Sequence, residues 1–180
     1  MTYVALFRGI NVGGKNRVKM AELRQLLTGL GYQNVKTYIQ SGNAIFDSED
    51  EPSKIKDAIQ ATFQDAFEFE CNVVLRTKKE IEAVIDGLPF SETEIDDAIA
   101  ANAEVEHLYF YFADGAPELA AAHEGEDKLV AGVGGVYLLC YESVRDSKAA
   151  MVLVKQEFPM TARNWKTLNG LFEMMGGICE

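Results

Sequence analysis

The sequence predicts an α+β protein made of two ferredoxin-like (split βαβ) subdomains with an extra C-terminal helix. Three observations carry this expectation. Short apolar runs and helical stripes follow the order β-α-β-β-α-β through residue 76. The order β-α-β-β-α recurs from His107 onward, with a last helix in place of a fourth strand and no close sequence identity between the repeats. At 180 residues, about half of them apolar, the chain is long enough to bury a substantial core.

Thr2–Phe7 is a β-branched and aromatic run, the signature of a buried strand. Met20, Leu23, Leu26, Leu27 and Leu30 then recur at helical spacing, with Gly31 at the position that stops a helix. Val35–Gln40 and Ala44–Phe46 are short strands around the turn residues Ser41, Gly42 and Asn43. Pro52 opens a helix with Ile55, Ile59, Phe63 and Phe67 on one stripe, and Asn72–Arg76 is the fourth strand. Thr77-Lys78-Lys79-Glu80 is a capping box, and the helix it opens ends before Pro89. Residues 91–106 read as mixed helix and linker.

The second half begins with a strand at His107–Phe112 and a short helix at Pro117–His123. A hairpin of Lys128–Val133 and Val136–Tyr141 turns at Gly134-Gly135, and Ser147–Phe158 is a helix. Thr161 is the expected N-cap of the last helix, with Met160 stapled to Trp165 and a stripe of Trp165, Leu168, Phe172 and Met175. Arg163 would then sit in a first helical turn, where the helix dipole disfavours a cation. The expected divisions are 1–76, the Gly-rich-loop subdomain, 77–106, a helix and acidic linker, and 107–180, the second subdomain.

The net charge of −11 is unevenly spread. Residues 1–48 carry +4, whereas 80–127 carry fourteen acids and no Lys or Arg. The acidic stretch reads as a solvated surface. Three widely spaced cysteines suit reduced thiols in the cytoplasm, and a block as short as Tyr3–Phe7 followed by Arg8 does not read as a secretory leader. No apolar run approaches the roughly 20 residues that span a bilayer. With two histidines and no C-x-x-C or H-E-x-x-H spacing, neither a metal nor a cofactor is called for.

Arg8-Gly9-Ile10-Asn11-Val12-Gly13-Gly14-Lys15-Asn16 carries the strongest chemical signal. Its glycines let backbone N–H groups approach a ligand, and Arg8 and Lys15 favour an anion there. From Gly9 the segment misses the G-x-x-x-x-G-K-Ser/Thr phosphate-loop pattern by one residue, because Asn16 has no hydroxyl for Mg²⁺. The next helix also begins near Lys19 rather than Lys15, and the strand order is not that of a phosphate-loop hydrolase.

Together with Tyr38-Ile39-Gln40-Ser41-Gly42-Asn43 and Thr161-Ala162-Arg163-Asn164-Trp165, this loop resembles the bacterial family catalogued as domain of unknown function 1697. The resemblance covers essentially the whole chain. It implies a small cytoplasmic protein of two ferredoxin-like subdomains and no particular activity. It also suggests that the three segments form one unit. The resulting ligand-binding set is Arg8, Asn11, Gly13, Gly14, Lys15, Gln40, Ser41, Asn43, Arg163 and Asn164, suited to phosphate or carboxylate. That set holds no general base and no activated nucleophile, so binding is expected and no catalytic constellation is recognisable.

The competing class is a nucleic-acid-binding sheet presenting Tyr3, Phe7, Tyr38 and Phe46. The missing RNA-recognition consensus and the acidic whole chain weigh against it. A protein-interaction role is a third class. A free sheet edge allows a homodimer as well as a monomer.

Overall fold

The computed structural model describes residues 1–115, 125–155 and 160–177. The expected Pro117–His123 helix, the end of the expected Ser147–Phe158 helix and Cys179 lie outside them. The chain divides into two compact units, Met1–Ile81 with Gly170–Glu180, and Glu82–Asn169. No helix among the described residues is long and apolar enough to cross a membrane.

The first unit contains β1 (Thr2–Phe7), α1 (Met20–Gly29), β2 (Gln33–Tyr38), β3 (Asn43–Asp47), α2 (Pro52–Phe67) and β4 (Val73–Thr77). Its sheet has the order β2-β3-β1-β4, and every neighbouring pair is antiparallel. Period-two alternation sends Tyr3, Ala5 and Phe7 to the face covered by α1 and α2. There they join Leu23 and Leu27 of α1 and Ile55, Ile59 and Phe63 of α2, all fully buried. Phe7 meets Phe63 at 5.5 Å, and Tyr32 stacks on Phe46 at 4.6 Å. Val4, Leu6 and Val74 turn to the other face and are equally buried. On that side Met174 and Met175 border a recess with Ile45 and Lys36. Lys78 donates to Gly176 O at 2.6 Å and lies over the Phe172 ring, anchoring this returning segment.

The chain continues through α3 (Lys78–Asp86), α4 (Glu92–Ala101), β5 (Leu108–Ala113), β6 (Lys128–Gly132), β7 (Gly135–Leu139), α5 (Lys148–Val154), β8 (Met160–Asn164) and α6 (Trp165–Met174). The second sheet, β6-β7-β5-β8, repeats the first strand for strand. Tyr111, Val136, Leu138 and Cys140 pack with Ala149, Ala150 and Leu153 of α5. Phe110, Phe112 and Tyr137 cluster at ring distances of 4.7 Å, and the Tyr137 hydroxyl donates to Val84 O.

One expectation is corrected here. The second half does possess its fourth strand: Met160–Asn164 pairs with β5 along its length, and the helix begins only at Trp165. Thr161 is therefore not the N-cap; Asn164 is, its Oδ1 accepting from Thr167 N at 2.8 Å. Met160 lies in the second unit's core rather than in a staple, and Trp165 is only half-buried. The strand is hard to read because its buried positions include the polar Thr161 and Arg163. Arg163 Nη1 donates to Thr161 Oγ1 at 2.9 Å and to Ala162 O at 2.8 Å.

The capping box at Thr77–Glu80 forms as expected. A second, unforeseen one joins Ser91 and Glu94 at the start of α4, where Lys128 also reaches Glu94 at 2.8 Å. The Lys128 contact, followed by the Ser91 N–H and hydroxyl, holds the Glu94 carboxyl down to about 2.

Two expected outcomes follow from the packing. Gly42 sits at φ +81, and a Cβ there would lie 2.8 Å from Ile10 and 3.0 Å from Phe7. Gly42→Ala should cost about 2 kcal/mol, read as a lower denaturant midpoint at unchanged slope. For Glu94, the folded pKa lies below the ordinary 4.5, so its stabilisation is complete above that pH and lost as pH falls towards about 2. Urea midpoints should fall across that window, and Glu94→Gln should flatten the fall while lowering the midpoint at neutral pH. An acid limb unchanged by the substitution would contradict the assignment.

Candidate functional site

β1 ends where its apolar run meets Arg8. The backbone of Arg8 is pinned from both sides, its N–H donating to Asn72 O and its carbonyl accepting from Cys71 Sγ. Beyond it the chain folds back as a two-residue hairpin. Val12 and Lys15 pair, Lys15 N donates to Val12 O at 3.1 Å, and Gly13 and Gly14 take φ values of +58 and +77. Positive φ at both central positions defines a type I′ turn, which only residues such as glycine adopt freely. The loop is thus a small protruding β-ribbon rather than a phosphate-wrapping cradle. As expected, α1 starts late, with Lys19 at its N-cap.

Asn11 sets the shape of this ribbon. Its Oδ1 accepts from Val18 N at 2.8 Å, while Nδ2 donates to Val18 O and to Gln40 O, each at 2.9 Å. The bond to Gln40 brings the 8–16 loop against the 38–43 turn, so two of the three predicted segments meet inside the first unit. In that turn Ile39 takes φ +47, and Phe7 N donates to Gly42 O. Asn43 is fully buried and donates to Tyr38 O and Ser41 Oγ. Both asparagines are thereby committed to holding backbone.

The third segment belongs to the second unit. Arg163 is buried on β8, not in a helical turn, so the expected dipole conflict does not arise. It donates to Thr161 Oγ1 and Ala162 O, and Asn164 caps α6.

A depression of about 560 Å³ lies beside the ribbon. Three of the predicted residues line it, Asn11, Gly14 and Gln40. Arg8, Gly13, Lys15, Ser41 and Asn43 belong to the same two turns without bordering it. The rest of the lining comes from Arg17, Val18, Lys19, Met20 and Glu22, of which sequence reasoning had singled out none as site residues. Lys19 pairs with Glu22 at 3.1 Å, and no side chain caps the α1 N-terminus that both flank. A basic residue at an N-cap followed three residues later by Glu was the available signal. A larger depression, about 670 Å³, lies elsewhere in the first unit, but Asp47, Glu49 and Asp50 give its lining the opposite sign.

The neighbouring Cys140 and His107 do not form a nucleophile–base pair. The ring nitrogens of His107 face Cys140 O and Asn102 O, while Cys140 Sγ donates to His107 O. Burial above all, with the Asp127 charge second, pushes the Cys140 thiol up to about 12 and keeps it protonated. Among the described residues, no group of three or more His, Cys, Asp or Glu is placed to hold a metal ion.

The three-dimensional structure is similar to that of a conserved bacterial protein from Streptococcus pneumoniae, with a TM-score of 0.76. The two share 29% identity over 97% of this chain and 98% of the other. No curated protein matches the sequence. Residues 1–131 match the family model described as "Protein of unknown function (DUF1697)". With that match spanning well over half its length, the chain belongs to the DUF1697 family.

Proposed function

We propose that the first unit binds a small anionic ligand, bearing phosphate or carboxylate, in the depression between the 8–16 ribbon and the start of α1. The observation that carries this reading is the meeting of Arg17, Lys19 and an uncapped helix N-terminus around one hollow. The first N–H groups of a helix have no partner within it, and the dipole favours negative charge there. Arg8 and Lys15 add positive potential nearby, Gln40 and Ser41 are exposed hydrogen-bonding groups, and Asn11 and Asn43 hold the two turns in register.

The nucleic-acid alternative has no comparable support. Tyr3, Phe7 and Phe46 lie in the helix-covered core of the first unit and offer no stacking surface. We take the protein as cytoplasmic, a reading supported by three widely spaced cysteines whose odd number suits reduced thiols.

Titration with inorganic phosphate at low salt, followed by amide NMR shifts, tests the reading. Shifts should centre on Gly13–Glu22, and Arg17→Ala should weaken binding about tenfold. Arg163→Ala, measured alongside, reports whether the 161–165 segment contributes to affinity. Absence of shifts at Gly13–Glu22, or an affinity indifferent to Arg17→Ala, would reject the site.

A further inference from the structure

Ile39 is strained without a reward inside the fold. Its φ of +47 lies in the left-handed region, which a β-branched side chain enters at a cost. Yet the residue is 49% exposed, so burial within the first unit does not offset that cost. Val12, beside the Gly13-Gly14 turn, is 64% exposed. The Asn11–Gln40 bond joins the residues next to these two, so a pair of bare aliphatic side chains marks the ribbon and its neighbouring turn. Arg8, Lys15 and Arg17 belong to the same ribbon and enter no ion pair among the described residues.

The second unit carries the opposite pattern. Glu92, Asp96 and Ile99 of α4 fall at i, i+4 and i+7, which places them on one stripe, and all three are exposed. Neither acid enters an ion pair among the described residues. The stripe lies in the stretch 80–127, with its fourteen acids and no Lys or Arg. We propose that the ribbon of one copy docks on the α4 stripe of a second copy, Val12 and Ile39 meeting Ile99 while the ribbon cations face Glu92 and Asp96. Charge complementarity selects this occupant. A nucleic acid or an anionic membrane would suit the ribbon alone, and a chain of net charge −11 repels both. A second copy answers both patches at once. The contact joins two different surfaces, so it is heterologous. A ribbon tip on one helical face is also small, in the transient class below about 1,200 Å².

Sedimentation velocity of the full chain at about 100 μM tests the inference. The protein should self-associate at low salt, and about 0.5 M salt should weaken the association about tenfold. Val12→Asp or Asp96→Lys should each weaken it by a similar factor. Ile39→Asn should weaken it while raising Tm, because Asn tolerates the left-handed region. The Val12→Asp and Asp96→Lys chains, mixed, should associate again, since the intact ribbon of one meets the intact α4 of the other. That recovery also shows both variants to be folded. Neither Val12 nor Asp96 borders the hollow beside α1, so the outcome is separate from the anion reading. A chain that stays monomeric at low salt, association indifferent to these substitutions, or a mixture that does not recover would each overturn the inference.

Discussion

A central strand covered on both faces has to be apolar at every position, and each half of this chain is organised around one such strand. In β1, Tyr3 to Phe7 are buried without a gap, alternating between the helix-covered face and the face opposite. β5 follows the same rule, from Leu108 through Ala113 with Tyr109 alone partly exposed. Each large side chain so placed contributes about 1.5–3 kcal/mol, so these short segments hold much of the apolar burial of their sheets. The constraint also decides where chemistry can sit. Charged and hydrogen-bonding groups are displaced to the strand ends, and the first position beyond β1 is Arg8. The polar ribbon follows from the same burial that builds the sheet.

Most of the first unit was legible because its elements obey local rules. Leu23 and Leu27, then Ile55, Ile59 and Phe63, fall where helical periodicity puts them. Gly31, at φ +89, follows the helix it was expected to stop. The turn before β7 was equally clear, with Gly134 at positive φ. β8 was obscure for a physical reason. Its buried positions hold Thr161 and Arg163, which share a hydrogen bond that no single-residue pattern reveals. Thr161, ahead of an amphipathic helix, imitates a cap, while the true cap, Asn164, stands three residues later.

The turns beside the candidate hollow were legible in the sequence, whereas the hollow itself was not. Glycines and asparagines marked the two turns correctly, because few residues tolerate the positive φ values found at Asn11, Gly13, Gly14 and Gly42. Asn11 and Asn43 hold backbone together, and Arg17, Lys19 and Glu22, just before and within α1, line the hollow beside them. Those residues look like ordinary surface charge in one dimension. Only the fold, by pressing Gln40 against Asn11, makes a hollow beside them.

The composition of the first unit bears on its biogenesis. Because it includes Gly170–Glu180 as well as Met1–Ile81, nearly ninety intervening residues are synthesised before its last pieces exist. During translation, β1–β4 can pair and close over α1 and α2, but Met174 and Met175 are not yet available beside Ile45 and Lys36. Lys78 likewise waits for the carbonyl of Gly176. The unit that begins first on the ribosome is finished last, so the nascent protein passes through a stage in which a half-covered sheet stands exposed to chaperones.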